Sequence, residues 1–557
     1  MTTSATPAPT PDSHRPDLAA DGATSLRRYP FASSRSAVLA DGGMVATSQP
    51  LAAQAGLSVL ADGGSAVDAA IASAAALTVV EPCSNGIGSD AFALVWAEDE
   101  LHGYNGSGRW PAANSADALR AAGHDDVPDW GWVPVTVPGA VDTWAALHGR
   151  WGRLPMSRLL APSRTYAERG FPLSPVVARQ WARAAETYPS PGLTELAGWS
   201  EVFTPGGHIP DAGDRWASPG HARGLACLAE NGLRDFYEGE VAAAIAEYAA
   251  ATGGTLTGDD LAAHQGRWVA PISVAYRDHE VWEIPPNGQG LAALIALGIA
   301  ARTDVADHGQ ITAEAWHRQI EAMKLGFADS DATVGDPEHG AVPVEALLDG
   351  EYLDGRAALI GETAANPEPG APAGSGTVYL CTADADGMMV SFIQSNYMGF
   401  GSGVVVPSHG ISLQNRGAGF NLEPGHPNEA APGKRPRHTI IPGFLTHRGA
   451  PVGPFGVMGG EMQPQGHLQV VAGMVDHGLN PQAALDAPRW RVERDWSVHV
   501  EAATPPEVVE GLRARGHEVE VERSRIGFGR GQIIRRLANG AYAAGSEPRA
   551  DGCAMGL

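Results

Sequence analysis

Apolar positions fall at two periods along the chain, helical before residue 376 and mostly strand-like after it. Leu51, Leu57 and Leu60 share one helical face, with Pro50 in the first turn and Gly63-Gly64 at the stop, which predicts a helix over 50–60. Ser65-Ala66-Val67-Asp68 has the form of a capping box and opens an alanine-rich helix that runs to about Val80 and ends at Pro82. That second helix is apolar nearly all round, so it is expected to lie buried against a sheet. A strand is predicted at Phe92 to Trp96 and an amphipathic helix at Ala140 to Trp151. From there to about Ala301 the pattern reads as helices broken by turns, with one strand from Ile272 to Ile284 and a turn at Pro285 to Gly290. A long helix, Ala313 to Ala328, precedes the polar Asp329-Ser330-Asp331. Later strands are expected at Ile411 to Leu413, Ile440 to Leu445, Val457 to Met458, Val519 to Val521 and Gln532 to Ile534. Leu468 to His477 and Pro481 to Asp486 read as helices between them.

The change of period is marked by one threonine. Asn366 to Gly376 is a Pro/Gly-rich stretch with the composition of a surface loop, and Val378 to Thr382 is β-branched and apolar. Asp384-Ala385-Asp386-Gly387 then signals a turn into a second run, Met388 to Ile393, so Thr377 sits at the mouth of a hairpin. A free hydroxyl is a poor nucleophile at neutral pH. A cut between Gly376 and Thr377 would put an α-amine on the same residue, where it can act as the general base. A threonine that merely starts a strand is the ordinary reading of such a pair, and the residues alone leave both open.

Composition narrows the setting. Hydrophobic residues make up 44% and charged residues 18%, a soluble globular balance with ample core. A net charge of −25 argues against nucleic acid or an anionic membrane as partner. Only Lys324 and Lys434 are lysines, so arginine carries the rest of the positive charge. Cys83, Cys227, Cys381 and Cys553 are far apart in sequence and read as free thiols, not as a disulfide framework or a zinc site. Residues 1–28 read as a disordered tail without an apolar h-region, and no run of 18 apolar residues occurs, which together place the protein in the cytoplasm. The 19 histidines show no H-E-x-x-H spacing, and neither a metal nor a cofactor is expected. Gly86-Ile87-Gly88-Ser89-Asp90-Ala91 has the letters of a dinucleotide fingerprint but follows a helix and precedes a strand, the wrong order for that role.

The ordered set of motifs resembles the γ-glutamyltransferase family of N-terminal-nucleophile hydrolases. It comprises Gly43 to Ser48, Gly63 to Ala70, Val80-Glu81-Pro82, Gly86-Ile87-Gly88, Thr377 with Asp384 and Asp386-Gly387, Phe400-Gly401-Ser402-Gly403, Gly433-Lys434-Arg435-Pro436 and Met458-Gly459-Gly460. The resemblance implies an α+β fold with a four-layer αββα sandwich. It also implies self-cleavage at Gly376-Thr377 into a large part, 29–376 behind the tail, and a small part, 377–557, that stay associated, with further homo-oligomerisation left open. Thr377 would form an ester-linked acyl-enzyme with a small-molecule amide. Gly459 and Gly460 would hold the oxyanion through backbone N–H groups, Ser395 would stand where relatives carry a threonine bonded to the nucleophile, and Arg109 would grip a substrate carboxylate.

Departures from the family pattern lie in the expected substrate pocket. Tyr397 replaces an asparagine, Arg416 and Gly419 replace the glutamine and aspartate that hold the donor's α-amine, His438-Thr439 replaces a serine pair, and Val378 replaces a threonine. This set resembles a branch that includes oxamate amidohydrolase and cephalosporin acylase-like proteins. The leading expectation is cleavage of γ-glutamyl amides, glutathione among them. The alternative within the class is an acyl group with a carboxylate but no free amine, of oxamate or glutaryl type. Outside the class stands an unprocessed relative that only binds ligand.

Overall fold

Alternation along the strand that begins at Gly376 divides its side chains between two cores. Val378 and Leu380 belong to one, Tyr379, Cys381 and Ala383 to another, as the period of two in a strand requires. A computed structural model describes residues 30–32, 35–188, 193–367 and 376–557. The predicted tail 1–28 and most of the predicted loop 366–376 fall outside the described residues.

Fourteen strands build two seven-stranded sheets. In chain order they are β1 (Val38–Ala40), β2 (Gly43–Thr47), β3 (Asp90–Ala97), β4 (Glu100–Asn105), β5 (Arg267–Val269), β6 (Ile272–Tyr276) and β7 (His279–Glu283). After residue 375 follow β8 (Gly376–Asp384), β9 (Met389–Tyr397), β10 (Gly443–His447), β11 (Ala450–Met458), β12 (Arg530–Arg536), β13 (Tyr542–Ser546) and β14 (Cys553–Gly556). One sheet has the order β14-β2-β8-β9-β3-β4-β5 and the other β1-β13-β12-β11-β10-β7-β6. Every pair within these two sheets is antiparallel. β8 is an inner strand, hydrogen-bonded by β2 on one side and β9 on the other, so Thr377 starts from a rigid position.

The three largest cores pack on the sheets. The first joins β3, β8 and β9 to helices α1 (Pro50–Ala61), α2 (Ala66–Val80) and α3 (Ala140–Trp151). The second joins β7, β10 and β11 to α4 (Gly290–Ala300), α5 (Ala313–Thr333) and α6 (Met462–Val475). A third, with Phe92, Leu94, Tyr379, Ile393, Phe444, Met458 and Ile534, draws side chains from both sheets. All of α2 is buried, as its unbroken apolar pattern predicts, and Ser65 caps it through a full capping box with Asp68. Its alanines let α1 approach closely: a Cβ on Gly56 would stand 2.3 Å from Ser73 Oγ.

Several boundaries differ from the sequence pattern. The single strand expected over 272–284 is the hairpin β6–β7, because the polar pair Arg277-Asp278 takes the turn, with Arg277 at φ +58°. α5 continues through Asp329-Ser330-Asp331 to Thr333, since Arg356 pairs with Asp329 and Arg437 with Asp331, and the acids need no solvent. The strand expected from Ile440 starts at Gly443. Strands β1, β2, β4, β5, β13 and β14 were not foreseen: β1, β5 and β14 lie at sheet edges, and β2, β4 and β13 are short inner runs that no alternation of apolar residues marks.

Phe400 packs among Trp181, Trp199 and Phe203 with ring centroids 5.4, 5.4 and 4.6 Å away. Phe400→Ala is expected to cost roughly 3–5 kcal/mol. Denaturant unfolding of the purified variant checks this, and a loss under about 1 kcal/mol would show that the aromatic cluster is not a joint between the halves of the chain.

Candidate active site

A bulge creates the central contact. Gly376 pairs with Tyr397 and Val378 with Gln394, so Thr377 alone faces the two residues Ser395 and Asn396. Its Oγ1 lies 3.0 Å from Ser395 Oγ, and both side chains are fully buried. Ser395 Oγ also accepts the N–H of Tyr397 at 2.8 Å and an N–H of Arg416 at 3.3 Å. The same guanidinium donates to Thr439 Oγ1 at 2.7 Å and lies 4.2 Å from the centroid of the Tyr397 ring, a cation–π contact worth about 0.5–2 kcal/mol. Thr377, Ser395, Tyr397, Arg416 and Thr439 therefore form one group. Tyr397 adopts φ +78°, a conformation that costs a non-glycine residue on the order of 1–3 kcal/mol and is characteristic of functional sites.

Arg416 is wholly buried, and desolvation pulls its pKa down to about 10, while Tyr397, Asp90 and Glu461 favour its charge. Among the described residues its side-chain hydrogen bonds go to two hydroxyls and to no carboxylate, so its charge stands over those hydroxyls. A cation there lowers the cost of negative charge developing at either oxygen.

His438 is fully buried and turned to a partner absent from the sequence-based set. Its Nδ1 accepts the N–H of Ile440, which leaves Nε2 to donate to Asp90 Oδ2 at 3.1 Å. Both ring nitrogens are engaged within the protein. Asp90 Oδ1 accepts from Gly108 and Gly139, and burial raises the Asp90 pKa to about 7 against the pull of Arg416 and those N–H groups. Asp90 belongs to the rejected fingerprint, and that turn is a support for the site: Ser89 Oγ donates to Asn396 and Gly88 accepts from Gln414. No spacing in the sequence links Asp90 to a histidine 348 residues away.

Gly459 and Gly460 turn β11 into α6 with φ +131° and +60°, values that demand glycine. They precede a helix N-terminus, where backbone N–H groups lack intrahelical partners and the dipole favours negative charge. Gln289 ties this pair to the hydroxyl group, donating through Nε2 to Gly460 O at 2.9 Å and to Thr439 O at 2.7 Å. It comes from the turn 285–290, whose Asn287 also donates to Pro436 O at 2.8 Å.

Arg109 stands apart from these contacts. Its side chain is 38% exposed, and its guanidinium pairs with Glu338 and donates to Gly433 O at 2.9 Å. Arg267 and Arg435 converge on the same Glu338. Tyr397 and Thr439 line a cavity of ≈ 540 Å³, with Asp129, Asp331, Arg437, Glu461 and Arg494 among its other walls and Arg109 not among them. Glu461 follows the glycine pair, and burial raises its pKa to about 7 although Arg437 opposes the shift.

A sequence profile described as Gamma-glutamyltranspeptidase matches residues 52–557, and the chain belongs to that family of hydrolases and acyltransferases. It is 37% identical over 529 residues to the glutathione hydrolase-like YwrD proenzyme of Bacillus subtilis, covering 92% of this chain and 98% of the relative. Identity is also 37% over 530 residues to the oxamate amidohydrolase proenzyme of Klebsiella pneumoniae, with the same coverage. Among solved structures, the cephalosporin acylase of Bacillus halodurans superposes with a TM-score of 0.90 at 52% identity, over 95% of this chain and 98% of that one.

Glu461 generates a pH prediction. Its folded pKa lies above the unfolded value near 4.5, so its contribution to stability is full below pH 4.5 and lost as pH rises through about 7. Glu461→Gln is expected to gain stability relative to the parent between pH 4.5 and 8, by an amount on the order of a few kcal/mol. Denaturation midpoints across that range test it, and a pH-independent difference would rule it out.

Proposed function

We propose that the chain is a precursor that cuts itself between Gly376 and Thr377, and that the freed Thr377 is the nucleophile of an amidohydrolase acting through an acyl-enzyme. The contact that carries this reading is Thr377 Oγ1 to Ser395 Oγ at 3.0 Å, in a buried group held by Arg416. In the uncut chain the hydroxyl belongs to the residue whose own nitrogen forms the bond to be broken, and that residue sits at a bulge. Attack of Oγ1 on the Gly376 carbonyl, transfer of the acyl group to oxygen and hydrolysis of that ester would release the α-amine. The amine then takes the hydroxyl proton when Thr377 attacks a substrate amide, and returns it to the leaving amine. Gly459 and Gly460 are assigned the oxyanion, and Ser395 the orientation of Oγ1. The proenzyme names of the relatives support a precursor, and we assign 29–376 and 377–557 as its two subunits. The three cores support reading the fold as helix, sheet, sheet, helix, the four-layer αββα sandwich. Four free cysteines suit a cytoplasmic setting.

For the acyl group we favour a carboxylated donor without an α-ammonium. Arg416 fills the place of the family's glutamine, lies against Ser395, the nucleophile's partner, and repels a second cation, and Gly419 offers no anion. The names oxamate amidohydrolase and cephalosporin acylase among the relatives agree with such donors. Arg109 remains the assigned carboxylate grip, to be released from Glu338 by the substrate, with Tyr397, Arg416 and Thr439 shaping the pocket and His438 acting on it from behind through Thr439. γ-Glutamyl cleavage is the second reading, favoured by Asp129 and Glu461 in the cavity wall, which would suit an ammonium.

Denaturing mass spectrometry of purified protein is expected to give two species matching 1–376 and 377–557, and one full-length species for Thr377→Ala. An uncut parent after long incubation would overturn the mechanism. Ser395→Ala is expected to lower kcat roughly 10–100-fold, the loss of one buried hydrogen bond of 1–3 kcal/mol. Glutaryl-anilide should be hydrolysed faster than γ-glutamyl-anilide. The reverse order would replace the favoured donor with the second.

A further inference from the structure

Three groups of metal-ligating side chains lie outside the site among the described residues: Cys227, Glu240 and His409; His317, Glu321 and His517; and Asp278, His279 and His447. In the first two a protein cation already occupies the carboxylate. Arg223 pairs with Glu240, and Lys324 Nζ lies 3.0 Å from Glu321 Oε1. The third differs, for the ion pairs of Asp278 among the described residues are with the two histidines.

Its geometry follows from the sheet. His279 on β7 and His447 on β10 are direct partners in an antiparallel pair, so their side chains rise from the same face of neighbouring strands. Their ring centroids are 4.7 Å apart. Asp278, in the β6–β7 turn, reaches both rings, with Oδ1 2.8 Å from His279 Nδ1 and Oδ2 2.9 Å from His447 Nε2. His279 is 3% exposed, and its Nδ1 makes no well-aligned hydrogen bond among the described residues. Asp278 is 56% and His447 17% exposed in their side chains, which leaves an approach from solvent.

We propose that Asp278, His279 and His447 bind a divalent transition ion, with zinc the best match to two imidazoles and one carboxylate. All three donor atoms lie within 4.8 Å of one another. Bonds of about 2.0–2.1 Å at tetrahedral angles need donors ~3.3 Å apart, so the site closes by small rotamer shifts of the two more exposed ligands. A water completes the fourth position. Neutral imidazole and ionised carboxylate are the forms that ligate. Two ligands precede Thr377 in the chain and one follows it. If the proposed cut occurs, the ion ties the two polypeptides together at the adjoining β6–β7 and β10–β11 turns. The site itself does not depend on the cut.

Calorimetric titration of metal-stripped full-length protein with Zn²⁺ is expected to show one ion per chain, with a rise in Tm. Asp278→Asn, a nearly isosteric change at an exposed position, and His447→Gln should each weaken the affinity at least tenfold, while Cys227→Ser leaves it unchanged. Absence of saturable binding in the parent would overturn the site. So would Zn²⁺ affinity undiminished in Asp278→Asn and His447→Gln.

Discussion

A buried charge, Arg416 set against the hydroxyls of Ser395 and Thr439 with no carboxylate in direct contact among the described residues, is the constraint around which the centre of this protein is organised. Burying a guanidinium is costly unless its donors are used and its field is answered. Here the hydroxyls take two donors, the Tyr397 ring takes the face, and Asp90 and Glu461 answer from a distance. Each of those partners is fixed in turn. Ser395 is held by a strand bulge, Tyr397 by a left-handed backbone, Asp90 by two backbone N–H groups and His438. Relaxing any one of them would leave a buried polar group unanswered, which explains how a strained Tyr397 persists.

The two halves of the chain are interleaved more deeply than a cut chain would need for mere contact. β8 lies between β2 and β9, and β9 lies against β3, so strands from before and after Thr377 pair side by side within one sheet. Gln289 and Asp90, both before Thr377, reach residues 438–460 after it. Separation of the halves would open both sheets and expose the shared core. The association therefore rests on sheet hydrogen bonds and apolar burial, with surface ion pairs such as Arg153 to Asp386 adding little.

Legibility in the sequence followed the strength of local signals. The capping box at Ser65, the alanine-rich α2, the α3 boundaries and the hairpin at Asp384 to Gly387 are set by neighbours within a few residues, and all stand where the pattern places them. Edge strands such as β5 and β14 carry no period of their own. They are strands because a neighbour supplies hydrogen bonds. In the site, Thr377, Ser395, Arg416 and Thr439 were named in advance and lie in one hydrogen-bonded group, whereas Asp90, Gln289 and Glu461 were not. Asp90 reaches His438 across 348 residues and Gln289 reaches Thr439 and Gly460 across 150 and 171, while Glu461 meets Arg437 only through the fold, and spacing is silent about all three.

By itself, then, the sequence determined the family, the helices with strong caps, the hairpin that carries Thr377 and the residue types available for chemistry, because each of these is a property of local order along the chain. Only the tertiary structure decided that a bulge turns Thr377 onto Ser395, that Arg416 faces inward, that His438 spends both nitrogens on the protein, and that Arg109 is held by Glu338. Those outcomes come from which distant groups share a low-dielectric interior, where a donor, acceptor or charge is stabilised by whatever the fold brings beside it.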